Sequence, residues 1–597
     1  MIGNAWKIRK FFFALLCISL LGSFCAYGQT EDTDHRVVIL YTNDVHTYVN
    51  NTSVDENGKS TPLLNYASVK ALKDDLTAQG ESVILVDAGD YTQGTAYGGI
   101  DEGASVLDIM NAVGYQVATL GNHEFDYGQF RAFELMDKAD FPLISSNFYV
   151  AADGNLVLPA SRILECGGVK IGFVGISTPE TISKSNPTYF MDRSAKNFIY
   201  NFYAGDDGHE LYDHVQSAID AIRDQVDYCI AIGHLGINPS AAPYRSIDVI
   251  ANVRGLDAFI DGHSHNTIEK EFVKDAEGRE VLLTQTGSYL SAIGKMTLEN
   301  GKIDTELITE YENYDEEISR MTEVLVKKVD DLLGETIGEI PFTLYIYDPE
   351  DPGRRIVRNH ETNLGDLMAD SYYYYFNEVA ELDCDLVFQN AGGVRSQVEP
   401  GKCTYLTAKS CAPFGNVACL VEISGQDILD VLEKGARNLG MSDPKTGFLV
   451  ENGGFMQVAG LKYSIDPGVQ STIQVDDNNM WLAGPTGDYR VKEVQVYNRT
   501  TKQYEDLQLD RKYRVGGINY TLRNQGDGLT MLADSTCVVD YVSEDYLVLA
   551  EYIKAFGTGE DGLPVVSTEN SPLSSYAGYL LDYENPYGAG RIEFTGM

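Results

Sequence analysis

From Arg36 to about Asn300 two patterns alternate along the chain. Short apolar, β-branched runs such as Val37-Val38-Ile39-Leu40-Tyr41 and Val83-Ile84-Leu85-Val86 have the length and composition of buried strands. Between them lie amphipathic stretches. One carries Val215, Ala218, Ile219, Ile222 and Val226, the spacing of one buried helix face. Strands alternating with helices predict an α/β layer structure. The stretch between Glu310 and Leu333 is charged and helix-compatible, and reads as a connecting helix; a loop rich in Pro, Asp and Gly follows from Tyr347 to Gly353. From Arg354 a second α/β unit runs nearly to the end. The segments are thus 1–28 as a leader, 29–310 as a first domain, 311–353 as a linker helix and hinge, and 354–597 as a second domain.

The length of 597 residues supports two large domains, and 44% hydrophobic with 22% charged residues is a globular composition. The formal net charge of -43 disfavours nucleic-acid duplexes and anionic membranes as partners. It also repels phosphate esters, so a phosphate site here must be locally positive. Lys7, Arg9 and Lys10 precede an apolar run, Phe11 to Leu21, and Ala26 and Gly28 have the spacing of a signal-peptidase site. This predicts export to the periplasm or the extracellular space, with cleavage near Gly28. Phe24 before Cys25 argues against a lipid anchor at that cysteine. No later segment is long and apolar enough to span a bilayer. Cys403, Cys411 and Cys419 lie close enough in sequence for a disulfide, with the pairing open.

A local event repeats in the first half: an apolar run ends and a metal-type ligand follows. Tyr41 leads to Asp44 and His46, Val86 to Asp87 and Gly89-Asp90, and Leu120 to Gly121-Asn122-His123-Glu124. Ile232 leads to Gly233-His234, and Ile260 to Gly262-His263-Ser264-His265. Loops at the carboxyl ends of strands in an α/β sheet converge on one crevice. Glycine before the ligand permits a tight turn with unusual dihedrals. Five of the nine histidines occupy these positions, while His35, His209, His214 and His360 lack the context. Mixed Asp, Asn and His donors suit zinc, manganese, iron or cobalt. Two such ions, about 3.5–4 Å apart and bridged by a carboxylate and a water, are a standard device for phosphate-ester hydrolysis. Gly58-Lys59-Ser60 looks like the tail of a P-loop, but Ser53 stands where the first glycine belongs, so it reads as a surface loop.

Asp44-Val-His46, Gly89-Asp90, Gly121-Asn122-His123-Glu124-Phe125-Asp126, Gly233-His234 and Gly262-His263-Ser264-His265 resemble the calcineurin-like metallophosphoesterase signature, in the order of its 5'-nucleotidase branch. The resemblance implies a metallophosphoesterase β-sandwich flanked by helices, a linker helix, and a C-terminal α/β substrate-binding domain. It implies Asp44, His46 and His265 on one divalent ion, Asp90 bridging, and Asn122, His234 and His263 on the second. His123 would act on the phosphate or leaving group, oriented by Asp126.

The second half carries Arg354 and Arg358, Asn390-Ala391-Gly392-Gly393-Val394-Arg395, Pro413-Phe414-Gly415-Asn416, Gly453-Gly454-Phe455, and Asn519-Tyr520 before Gly526-Asp527-Gly528. Arginines fork to phosphate oxygens and aromatic faces stack on bases. This half resembles the 5'-nucleotidase C-terminal domain. The resemblance implies Arg354, Arg358 and Arg395 on phosphate or carboxyl-like groups and Asn390, with Gly392 and Gly393, near the ribose or the catalytic histidine. It places Phe414 or Phe455, with Tyr520, on the base and Asp527 on the ribose. Tyr520 stands seven residues before Asp527, where relatives have Phe six before. A hinge for domain rotation is expected within Glu335–Gly353. The expected activity is release of phosphate from nucleotides by metal-activated hydroxide. Cleavage of 2',3'-cyclic nucleotides or nucleotide sugars, non-catalytic binding of metal or nucleoside, and sulfur-ester hydrolysis on the same scaffold stay open as alternatives.

Overall fold

The computed structural model describes residues 36–54, 60–192, 197–439, 450–540 and 542–595. The leader with Cys25, His35, and Gly58 and Lys59 lie outside these residues. No helix among the described residues is long and apolar enough to cross a membrane.

The first half is a two-sheet sandwich. One sheet runs Lys302–Ile308, Ile293–Glu299, Arg36–Thr42, Ser82–Asp87, Val117–Ala118. The other runs Thr267–Lys274, Glu280–Thr286, Ala258–Ile260, Tyr228–His234, Val169–Ser177, Ser161–Cys166. Alternation sends Val37, Ile39 and Tyr41 inward against Ile171, Phe173, Ile230, Ile232 and Ile260 of the facing sheet. Tyr41 carries a hydroxyl into this core and satisfies it on Thr284 Oγ1 at 2.5 Å. Both outer faces are covered by helices. His209–Ile222 lays Leu211, Val215, Ala218, Ile219 and Ile222 on the second sheet. It ends at Ile222, and Val226 follows a 3-10 turn in extended conformation, although it still packs against the same cluster.

The connecting helix spans Glu316–Leu333 and is capped by the Asp315 side chain, which accepts from the backbone N–H of Glu317 and Ile318. It packs on helices Tyr66–Ala78 and Ala104–Val113 of the sandwich through Ile318, Leu325 and Val329. The next strand, Thr336–Ile340, pairs with Gly401–Thr404 of the second half. Backbone pairing with the second half thus starts within the segment read as linker and hinge.

The second half holds a five-stranded sheet in the order Met456–Ala459, Leu386–Asn390, Lys512–Ile518, Ala418–Ser424, Thr536–Val539. A buried charge cluster ties helix Asn363–Tyr374 to the chain end. Arg591 donates to Asp370 at 2.8 Å and to the Val458 carbonyl at 2.8 Å, while the hydroxyls of Tyr579 and Tyr583 also reach Asp370. Cys403, Cys411 and Cys419 are buried free thiols.

Candidate active site

Strand topology explains why five distant loops meet. Arg36–Thr42 lies parallel to Ser82–Asp87, and Tyr228–His234 parallel to Ala258–Ile260, so their carboxyl ends share one edge of the sandwich. The loops there are strained. Asp44, His46, Asp90, His263 and His265 have φ of 48°, 49°, 62°, 76° and 57°. Such left-handed backbone costs about 1–2 kcal/mol per residue and gathers at functional sites. The glycines play two roles. Gly89 has φ of 92°, as the turn argument expects, whereas Gly121, Gly233 and Gly262 are absent from the positive-φ set. They supply room instead: a Cβ on Gly262 would lie 2.8 Å from His234 Nδ1.

Three overlapping donor sets result: Asp44, His46 and His265; His46, Asp90 and His123; and Asp90, His234 and His263, each with ligand atoms within 4.8 Å of one another. His46 Nδ1 is committed to the Gln93 carbonyl at 2.9 Å, and its Nε2 faces His265 Nε2 at 3.1 Å. His234 Nδ1 donates to the Ala88 carbonyl at 2.7 Å. Its Nε2 lies 3.0 Å from Asp90 Oδ2, yet it is not aligned for a hydrogen bond. Asn122 Oδ1 is likewise buried without a hydrogen-bond partner. Facing imidazole nitrogens and orphaned buried atoms beside two carboxylates fit divalent cations bound through nitrogen and oxygen.

The electrostatics agree. Burial pushes the Asp44 carboxyl up to about 7 against the pull of His234. Burial lowers His234, but the charges of Asp90 and Asp44 outweigh it and carry the imidazole up to about 10. Burial, foremost, holds His46 and His265 well below the usual histidine range. A metal cation taken up at His234 Nε2 would have to compete with a proton there.

His123 stands at the mouth of this centre. Its Nδ1 makes a short contact with Asp126 Oδ2, and its ring lies 5.8 Å from that of Phe414. A cavity runs from Asp90, Asn122, His123, Asp126, His263 and His265 into the second half. There it meets Arg358, Asn390, Gly392, Gly393, Arg395, Phe414, Tyr520 and Asp527. Arg358 Nε, Arg395 Nη2 and Asn390 Oδ1 are buried and unpaired. Burial, then the Arg355 charge, lowers Arg358 to about 9.

Two expected residues lie elsewhere. Phe455 is 1% exposed and packs in the second hydrophobic core, held by backbone bonds to Ala391 and Asn452. Arg354 turns away and pairs with Asp348 at 3.5 Å. Residues 354–359 form turns and a bridge rather than a helix, so Arg355, not Arg354, points to the arginine cluster, where Glu451 accepts from it at 2.8 Å. Tyr520 reaches across the domain boundary: its hydroxyl donates to the Ser183 carbonyl and accepts from the Asp527 N–H, each at 3.0 Å.

Sequence reasoning missed Glu180, which bonds His263 Nε2 at 3.0 Å and lines the cavity with Lys184. Burial raises Glu180, but the His263 bond and the Lys184 charge together bring it down to about 2. It missed Glu124 as well. That buried carboxylate accepts from the backbone N–H of Asp90, Tyr91, Thr92 and Gly121 at 2.9, 2.9, 3.2 and 2.7 Å. It stands inside the Gly-Asn-His-Glu run, and asking what holds the Asp90 loop would have found it.

Residues 37–267 match the family model described as calcineurin-like phosphoesterase, and residues 337–534 the one described as 5'-nucleotidase, C-terminal domain. Mouse 5'-nucleotidase is 27% identical over 569 residues, covering 87% of this chain and 88% of that protein. The trifunctional nucleotide phosphoesterase YfkN of Bacillus subtilis is 24% identical over 87% of the chain, which spans only 34% of that longer protein. The solved 5'-nucleotidase precursor of Thermus thermophilus has the same fold, with a TM-score of 0.73 at 24% identity, covering 94% of this chain and 100% of its own.

Proposed function

The chain belongs to the metallophosphoesterases that join a calcineurin-like domain to a 5'-nucleotidase C-terminal domain, metal-dependent phosphoric ester hydrolases, and from that premise we propose that it is an exported nucleotidase releasing phosphate from nucleotides at two divalent ions. Asp44, His46 and His265 would hold one ion, Asn122, His234 and His263 the other, with Asp90 between them. When bound, such ions supply Lewis acidity, activating water and neutralising phosphoryl charge.

The observation that carries this reading is the continuity of the cavity: one space joins the donor sets to unpaired guanidinium N–H groups. Each such buried donor costs about 1–3 kcal/mol until an acceptor arrives. Phosphoryl oxygens between Arg358 and Arg395 are suitable acceptors, and they would bring the phosphorus beside Asp90. His123 keeps Nδ1 on Asp126, so Nε2 is free to hold a proton toward the leaving oxygen. Asp126 stabilises the imidazolium that this requires. Phe414, 5.4 Å below the Arg395 guanidinium, offers an aromatic face to the base. Asp527, steadied by Asn390 Nδ2 at 3.2 Å, is an acceptor for ribose hydroxyls. The N-terminal charge and apolar pattern supports export.

The test is phosphate release from AMP, 2',3'-cyclic AMP and a UDP-sugar, with zinc, manganese, cobalt and iron each supplied in turn. The proposal expects AMP to be the best substrate with at least one metal. Turnover of the cyclic diester or the UDP-sugar alone would move the assignment to those bonds. No turnover of any would sink the nucleotide reading.

A further inference from the structure

Beside Asp527 lies a narrow recess walled by Lys184, Lys434, Arg437, Asn452 and Asn479. Lys184 and Asp527 line both this recess and the main cavity. Three cations meeting here are unexpected in a chain of net charge -43. Among the described residues no carboxylate lies within salt-bridge distance of any of the three. Lys434 Nζ, on a side chain 4% exposed, donates to the Asn479 carbonyl at 2.8 Å, and Arg437 donates to the Asn479 side chain. Asp527 lines the recess itself, and the nearby Glu180 is taken up by His263. Burial, then the Arg437 charge, pushes Lys434 well below the usual lysine range, a strain that an incoming anion relieves.

Lys184 comes from the first domain and the other two from the second. Helix Thr181–Lys184 is held against the second domain by the Tyr520 hydroxyl on the Ser183 carbonyl, and that hydroxyl also receives the Asp527 N–H. The carboxylate proposed for the ribose and the three cations are thus one assembly.

We propose that Lys184, Lys434 and Arg437 form an anion subsite for a second phosphoryl group on the ribose 2' or 3' oxygen of a nucleotide substrate. This rests on the nucleotidase reading and on Asp527 facing the ribose. The reaction is unchanged: water adds to the 5' phosphorus, the P–O5' bond breaks, and inorganic phosphate and a nucleoside 2'- or 3'-monophosphate leave. The second phosphoryl stays intact and serves as a handle.

The test compares KM for AMP, adenosine 2',5'-bisphosphate and adenosine 3',5'-bisphosphate, in the wild type and in Lys184→Met and Arg437→Met. The subsite predicts a KM about tenfold or more below that of AMP for one bisphosphate, and its identity names the hydroxyl. The KM ratio, which is internal to each variant, falls toward one in both variants. A wild-type KM for both bisphosphates equal to or above that for AMP overturns the inference and leaves the cations as counter-charges to Asp527 and Glu180. A ratio that survives both substitutions overturns it too. Failure to hydrolyse AMP at all sinks the nucleotidase reading first.

Discussion

Glu124 does not line the cavity and touches the metal donor Asp90 only through its backbone N–H, so its replacement isolates what the loop scaffold contributes. Its Oε2 accepts from the N–H of Asp90 and Gly121, and Oε1 from those of Tyr91 and Thr92. In Glu124→Gln, whichever way the amide turns, its NH2 faces one of these donor pairs and orphans two buried N–H groups. At about 1–3 kcal/mol each, the loss centres near 4 kcal/mol. For a domain of this size that lowers Tm by about 10 °C. The same loop places Asp90, so metal affinity falls about 10- to 100-fold, as when a supporting partner of a ligand is lost. The assay is calorimetry on the chelated protein, followed by metal titration. A variant within about 2 °C of the wild type that binds metal normally would refute the reasoning, and would mean that this carboxyl is already protonated in the fold.

Other substitutions separate roles. Asp126→Asn leaves the metal donors in place but misorients His123, so kcat should drop about 10²–10⁴-fold while metal content holds; an unchanged kcat would remove His123 from the chemistry. Arg358→Met should raise KM for AMP about tenfold or more, whereas Arg354→Met should leave it within about twofold, because only the first side chain lines the cavity. Phe455→Ala should cost about 3–5 kcal/mol of stability with no selective change in KM, as a core residue would. Burial, then the Arg354 charge, holds His360 down to about 4. The folded state then binds fewer protons than the unfolded chain between about 6.5 and 4, so stability present above that window is lost as pH falls through it. The loss is on the order of 3 kcal/mol, and His360→Phe should flatten it in urea titrations across that range.

The metal-type residues were legible because their signal is local. An apolar run followed at once by Asp, Asn or His places the side chain at a strand end without knowledge of the tertiary fold. Parallel pairing then brings the strand ends together. The second-half residues were harder for a physical reason. Arg354 and Arg355 are neighbours, and only the turn at Asp351–Arg354 decides which faces Glu451. Phe414 and Phe455 both sit beside glycines, yet Phe455 leads directly into strand Met456–Ala459 and is drawn into the core. The unusual spacing of Tyr520 is absorbed by left-handed backbone at Gln525 and Asp527, φ 60° and 54°, which no local pattern announces. Glu180 lies 83 residues from His263, just before a four-residue helix too short to show a periodicity.

The account depends above all on two cations sharing Asp90. The direct measurement is stepwise addition of manganese or zinc to the chelated protein, with bound metal counted by mass spectrometry and AMP hydrolysis followed in parallel. Two equivalents should bind, with activity rising mainly on the second, and Asp90→Asn should weaken both. Full activity in the chelated protein, or saturation at a single equivalent, would contradict the account.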